Sequence, residues 1–117
     1  MENALSVDEY GLLSFFGTSP AQSDDDVPWV YNDSAYEVTN GESRLTFALA
    51  PADRDVRVLL RVRDTVVYEL NAMGVEDVKL HNDKGRESLQ LIVSDRQSVW
   101  IRITPAICIN ESIGDPT

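Results

Sequence analysis

The amino-acid sequence predicts a mainly β protein: an antiparallel meander of about seven strands, sandwich-like or a partly closed barrel, preceded by one short N-terminal helix. Three observations support this fold class. From about residue 35 onward, apolar and polar residues alternate with the period of two that is typical of half-buried strands. Short turn signals separate these segments, and the helical crossovers that parallel strands require are missing from the pattern. The hydrophobic content of 43% and the charged content of 26% are those of a globular chain.

The first predicted element is a helix over residues 6–17. Ser6 and Glu9 have the spacing of a capping box, in which each side chain accepts a hydrogen bond from a backbone N–H at the helix start. Gly17 provides a C-terminal stop, because glycine readily takes the left-handed conformation that ends many helices. The polar, aspartate-rich segment 18–28 is predicted to be an acidic loop.

The firmest hairpin signal is the pair Asn40-Gly41, which lies between two segments of alternating apolar and polar residues. Both residues tolerate the positive φ of a two-residue type I′ turn. Such a turn pairs Tyr36 with Leu45 and gathers the apolar side chains of both strands on one face of the sheet. The turn and the hydrophobic pattern therefore predict the same register.

The rest of the chain continues the same pattern. Residues 29–110 are predicted to form the antiparallel sheet, with further turns near Asp64 and around residues 82–85. Residues 111–117 are predicted to be a C-terminal tail. With 117 residues, the chain 1–117 has the length of a single domain.

The net charge of −10 is concentrated in the N-terminal third. Residues 1–43 contain nine acidic residues and no Lys or Arg, whereas residues 44–117 contain eleven acidic and ten basic residues. Nucleic acid and membranes are not expected as partners, because both require a basic surface. A basic protein is expected instead, since complementary charge accelerates association. The acidic start and the short apolar runs lead us to expect a cytoplasmic location.

Two neighbouring features indicate where a basic partner would bind. Three consecutive aspartates are followed by two aromatic residues of the kinds enriched at binding hot spots. The aromatic residues also fit a place in the core at a sheet edge. The aspartates lack the spacing, central glycine and closing glutamate of a calcium loop, so we predict a solvated acidic loop and no metal site. The predicted partner-binding residues are Asp24, Asp25, Asp26, Trp29, Tyr31 and Asp33.

Several apolar residues lie at strand positions that point away from the main apolar face. On a solvated sheet these positions should be polar, so they indicate a second covered surface. We expect the N-terminal helix to pack there; the alternative is an interface with a partner or with a second copy in a homodimer. These residues are Leu59, Val67, Ile92, Trp100 and Cys108, of which the first four form the predicted second interface.

The sequence contains no recognisable catalytic motif. His81 is the only histidine and is predicted to lie on the solvent face of its strand. Cys108 is the only cysteine and is predicted to be a buried, inert thiol. No phosphate-binding glycine loop and no nucleophile elbow occurs. We therefore expect a protein that is not an enzyme and uses no cofactor.

In size, acidity and lack of catalytic residues, the chain is similar to bacterial immunity proteins and small phage-encoded inhibitors. The similarity is one of kind, rests on no motif and assigns no residue. The leading hypothesis is a cytosolic binding protein that presents its acidic N-terminal third to a basic partner, as an inhibitor or immunity protein does. The alternatives are a homo-oligomeric assembly subunit and, if the meander closes into a barrel, a small-ligand binder.

Overall fold

The computed structural model describes residues 5–24 and 26–113. The fold class predicted from the sequence is confirmed: the described chain is mainly β, with a short N-terminal helix. It contains nine strands, two more than the pattern of about seven indicated. The elements are α1 (Glu9–Phe16), β1 (Ala21–Gln22), a 3-10 helix (Trp29–Tyr31), β2 (Ser34–Asn40), β3 (Ser43–Ala50), β4 (Asp55–Val62), β5 (Thr65–Ala72), β6 (Asp77–Asp83), β7 (Arg86–Ser94), β8 (Gln97–Arg102) and β9 (Cys108–Ile113).

The strands form a meander that is divided between two antiparallel sheets. Strands β1 to β5 make the first sheet and β6 to β9 the second, each strand pairing with its neighbours in sequence. Over the described residues the sheets form no closed barrel, so the proposed barrel lumen, and with it the small-ligand alternative, loses its basis. In the same part of the chain, no helix has the length and apolar character needed to cross a membrane.

The segment between α1 and β2 differs from the prediction. The predicted acidic loop contains the short strand β1, which pairs with the start of β2. The segment from Trp29 to Tyr31, predicted as part of the sheet, is a 3-10 helix. In this turn, the Tyr31 N–H donates to the Pro28 carbonyl oxygen three residues earlier, at 3.0 Å. At the other end, β9 runs past residue 110 to Ile113, so the predicted tail is partly strand.

The hairpin between β2 and β3 corrects the predicted register. Tyr36 pairs with Phe47 instead of Leu45. The turn consists of Gly41, with a φ of 64°, and Glu42, so the pairing is displaced by two positions. Glycine at the first central position is the arrangement of a type II′ turn. Because side chains alternate with a period of two, this displacement keeps every side chain on its predicted face, and the hydrophobic pattern could not reveal it.

Asn40 therefore belongs to the strand, and its side chain has a different role. Its amide donates to the carbonyl oxygens of Ile103 (3.4 Å) and Pro105 (3.1 Å), which follow β8 in the other sheet. The tip of the first hairpin is thus tied to the second sheet by a polar contact.

The start of α1 also differs from the prediction. Asp8 is the N-cap, and its carboxylate accepts a hydrogen bond from the Gly11 N–H at 2.7 Å. Ser6 lies before the helix, where its backbone N–H and its hydroxyl both donate to the carboxylate of Asp77 at the start of β6. Because Ser6 donates to the carboxylate of Asp77, which is distant in sequence, it does not form the predicted capping box. The predicted stop is correct, since Gly17 ends the helix in the left-handed conformation.

The helix packs between the sheets and contacts β2 and β7. Phe16 is buried, with its ring centroid 5.0 Å from that of Tyr36 and 5.3 Å from that of Phe47. A Cβ at Gly11 would come within 2.8 Å of Leu80, so glycine permits the close approach of the helix to β6. The prediction that the helix covers the off-face apolar residues is therefore wrong, because its aromatic face completes the main core instead.

Cys108 is exposed, which corrects the prediction of a buried thiol. Cys108 is the first residue of β9, the last strand of the second sheet, and it pairs with Arg102 of β8. On an edge strand, a residue between two apolar neighbours that point to the core faces solvent.

Candidate functional site

Two neighbouring grooves lie at the end of the sandwich where the 3-10 helix and the β3–β4 turn meet. One, the apolar groove, has a volume of about 910 Å³. The other, the acidic groove, has a volume of about 530 Å³. Tyr31 and Ala52 line both grooves, so the two grooves adjoin each other. The apolar groove is lined by Leu5, Val7, Asp8, Glu9, Tyr10, Pro28, Trp29, Val30, Tyr31, Pro51, Ala52 and Arg54.

The apolar groove combines exposed aromatic side chains with one that is held in place. Tyr10 and Tyr31 are 74% and 72% exposed, and Val30 is 43% exposed. Trp29 is half-buried against the core, and its indole N–H donates to the hydroxyl of the buried Tyr36 at 3.2 Å. Large exposed apolar side chains gathered on one patch are characteristic of interaction surfaces.

The buried hydroxyl of Tyr36 lies beneath this groove and accepts the hydrogen bond from Trp29. Burial raises the pKa of the Tyr36 phenol, the hydrogen bond from Trp29 opposes that rise, and the negative charge of Glu9 adds to it. The net pKa lies above its ordinary value, so the phenol stays neutral at physiological pH. A neutral hydroxyl inside the core keeps the Trp29 indole oriented.

The acidic groove collects carboxylates from separate parts of the sequence. Asp24 and Asp33 come from the N-terminal third, Asp53 comes from the turn between β3 and β4, and Asp55 is the first residue of β4. Neither Asp53 nor Asp55 is among the partner-binding residues predicted from the sequence. Among the described residues that line the groove, Arg57 is the one base, and it pairs with both carboxylate oxygens of Asp33 at 2.6 and 2.7 Å. The groove therefore keeps an excess of negative charge.

A buried asparagine organises the acidic loop. Asn32 is 4% exposed, and its side-chain NH₂ donates to the carbonyl oxygens of Asp24 (2.6 Å) and Val27 (3.0 Å). Its side-chain oxygen accepts from the Asp33 N–H at 2.9 Å and from the Ser23 hydroxyl at 3.3 Å. The Asn32 amide thus holds the loop, and the side chains of Asp24 and Asp26 remain at the surface. Sequence reasoning missed this residue, although asparagine in a turn-rich segment often bonds to nearby backbone.

Arg54 fixes the β3–β4 turn. It has a left-handed φ of 56°, and its guanidinium donates to the carbonyl oxygens of Val75 (3.2 Å) and Glu76. The Arg54 carbonyl in turn accepts from the Val75 N–H at 2.9 Å. The turn that carries Asp53 is therefore bound to the connection between the two sheets, which positions its carboxylate at the acidic groove.

The predicted partner-binding residues come together at this end of the molecule. Asp24, Trp29, Tyr31 and Asp33 line one or both grooves. Asp26 is exposed in the same loop, and its backbone N–H donates to the Asp24 carboxylate at 3.0 Å. The remaining aspartate of the run, at position 25, lies outside the described residues. In residues 5–24 and 26–113, no group of three or more His, Cys, Asp or Glu side chains could hold a metal ion.

The four residues of the predicted second interface are not brought together. Leu59 and Val67 belong to the first sheet, whereas Ile92 and Trp100 belong to the second. The Trp100 ring lies 5.0 Å from that of His81, which is half-buried and bonded through Nε2 to the Gln90 side chain at 2.8 Å. The residues of the predicted second interface are therefore divided between the two sheets.

No protein-family model matches the chain, and no curated protein is significantly similar to it in sequence. The structure is similar to a chain in the contact-dependent growth inhibition toxin–immunity protein complex from Klebsiella pneumoniae 342. The two chains share their fold. The TM-score is 0.79 at 22% sequence identity, and the match covers 96% of this chain and 98% of the other.

Proposed function

We propose that this chain is an immunity-type protein that binds a protein toxin and blocks its action. Two independent lines support the proposal. The sequence combines small size with an acidic N-terminal third, which favours a basic protein partner. The fold is shared over nearly the full length with a chain of a toxin–immunity protein complex.

The observation that carries the proposal is the meeting of the two grooves at Tyr31. A binding surface needs apolar area for affinity and complementary charge for rate and specificity. The apolar groove offers exposed Tyr10 and Tyr31, and the acidic groove beside it holds Asp24 and Asp53. Toxins that act on phosphate-bearing substrates need basic clefts, so an acidic surface of this kind matches them.

The proposal assigns the chain a binding role and no catalytic one. His81 lies on the second sheet, where it bonds to the Gln90 side chain and contacts the Trp100 ring. Neither His81 nor Cys108 lines either groove. We also propose a cytoplasmic location, where an exposed thiol such as that of Cys108 stays reduced.

The test is a calorimetric titration of the purified protein with a candidate toxin domain, such as the product of a neighbouring gene, at low and at high salt. We expect tight one-to-one binding that weakens as salt rises, and protection of cells that express the toxin domain. Absence of binding at low salt would contradict the proposal. The variant Asp53→Asn should bind more weakly than the wild type, whereas Asp83→Asn, at the opposite end of the sandwich, should not.

A second candidate, a homo-oligomeric subunit, is favoured by one observation. The helix does not cover the outward faces of the sheets, and Val67 is 53% exposed while Trp100 is half-buried. Light scattering across a range of concentrations tests this candidate. A molar mass that stays at 13.1 kDa would remove it.

A further inference from the structure

The apolar groove has the size and lining of a site for a large side chain. Its volume of about 910 Å³ is within the range of about 300–1,000 Å³ that ligand pockets occupy. Tyr10 and Tyr31 expose nearly three quarters of their surface at its rim. Exposed aromatic surface gathered in one place is typical of interaction sites.

The walls of the groove are already in place without a partner. On one side, the Val7 N–H donates to the Val78 carbonyl at 3.0 Å, and Asp8 caps the helix. On the other, the hydrogen bond to Tyr36 orients Trp29. Because little of the wall has to become ordered on binding, more of the contact energy appears as affinity.

The charge around the groove selects the kind of partner segment that fits. Asp8 and Glu9 line the groove itself, and the acidic groove begins on the other side of Tyr31. The one base among the described lining residues, Arg54, donates to two backbone carbonyls. An apolar side chain that enters the groove therefore brings its sequence neighbours against carboxylates, and the Tyr31 ring offers a face to a cation.

We infer that the apolar groove receives a bulky apolar side chain carried on a Lys- or Arg-rich segment of the partner protein. The inference rests on the proposed function and names the chemistry of the segment that the site recognises. A second copy of this chain is a poorer occupant, because the same face on both copies would bring carboxylates against carboxylates.

The experiment uses three synthetic tripeptides as probes for the ¹⁵N-labelled protein in nuclear magnetic resonance titrations. The matched probe is acetyl-Trp-Arg-Arg-amide; acetyl-Trp-Gln-Gln-amide lacks the cations and acetyl-Ala-Arg-Arg-amide lacks the apolar anchor. We expect the matched probe to bind roughly tenfold more tightly than either control, since each control loses one of the two contributions. The shifted amides should be those of residues 7–10 and 30–31.

Variants of the protein test whether the matched probe binds at the apolar groove. Tyr10→Ser and Tyr31→Ser should each weaken binding of the matched probe, whereas Val67→Ser, an exposed apolar residue on β5, should leave it unchanged. Equal affinity for the Trp-Gln-Gln and Trp-Arg-Arg probes would overturn the inference. Shifts centred on Trp100 and His81 would also overturn it, as would a dimer of the free protein that Tyr31→Ser dissociates.

The toxin titration separates this inference from the function on which it rests. If the toxin domain binds the wild type and the Tyr10→Ser/Tyr31→Ser variant equally well, the inference is wrong and the proposed function stands. If the matched probe binds as expected and the toxin domain does not bind at all, the recognition chemistry is supported and the proposed function is wrong.

Discussion

The groove end of the sandwich and its core are held together by different kinds of interaction. At the groove end, the backbone is fixed by polar side chains, with Asn32 holding the acidic loop and Arg54 holding the β3–β4 turn. Through the core, the helix and both sheets are joined by apolar packing, which centres on the contacts of Phe16 with Tyr36 and Phe47. Asp24 and Asp53 lie exposed at the acidic groove, where their charge can serve binding.

The largest effect is expected in the core. Phe16→Ala should lower the free energy of unfolding by about 3 to 5 kcal/mol, because it leaves a cavity beside Tyr36 and Phe47. Denaturant unfolding measures the loss. Val67→Ala, at an exposed position, is the control and should shift the midpoint little. A loss for Phe16→Ala below about 1 kcal/mol would mean that the helix does not complete the core.

A smaller effect is expected at the acidic loop. Asn32→Ala removes a buried amide and leaves the carbonyl oxygens of Asp24 and Val27 without their donor, which should lower the free energy of unfolding by about 1 to 3 kcal/mol. Because the loop carries part of the acidic groove, the same change should also weaken partner binding. Phe16→Ala, measured under conditions where it is still folded, should leave binding almost intact. If Asn32→Ala changes stability without changing binding, the loop does not belong to the site.

A pH effect should appear where the N-terminal segment meets β6. Burial raises the pKa of Asp77, whereas the two hydrogen bonds from Ser6 lower it. The Val78 N–H and the charge of Lys79 act in the same direction, so the net pKa lies below the ordinary value. A lowered folded-state pKa stabilises the protein above the unfolded value of about 4, and that stabilisation is lost as the pH falls through the folded value.

Asp77→Asn should therefore reduce stability at neutral pH and flatten the loss of stability on acidification. Thermal unfolding from pH 7 down to about pH 2 checks this against Asp83→Asn, whose exposed carboxylate lies at the far end of the same strand. Parallel pH profiles for the wild type and Asp77→Asn would contradict the assignment.

The fold class and most strands could be predicted because the alternation of apolar and polar residues records which face is buried. The register of the first hairpin could not be predicted from this pattern, because a displacement of the pairing by two positions leaves Tyr36 on the same face. The N-cap was misplaced by two residues because Ser6 and Asp8 both have side chains that can cap. Only the folded chain brings Asp77 to Ser6 and leaves Asp8 to the helix.

The candidate site was predictable in part for a similar reason. The excess of acidic residues before residue 44 is visible in the sequence, and it pointed to Asp24 and Asp33. The contribution of Asp53 and Asp55 depends on the β3–β4 turn lying beside the acidic loop, which is a product of the sheet topology. Tyr10 was missed because the helix start lies far in sequence from the 3-10 helix that it adjoins at the apolar groove.

The smallest effect on stability should accompany a large effect on binding, and this contrast tests the central claim most directly. The measurement is stopped-flow association with the toxin domain, combined with denaturant unfolding, for Asp24→Asn/Asp53→Asn and for the matched control Asp64→Asn/Asp83→Asn at the opposite end. We predict that the first variant associates roughly tenfold more slowly at low salt, because steering by complementary charge is lost. Its dissociation rate should change less, and its free energy of unfolding should stay within about 0.5 kcal/mol of the wild type. Equal slowing by the control, or an unchanged association rate in the groove variant, would contradict the account.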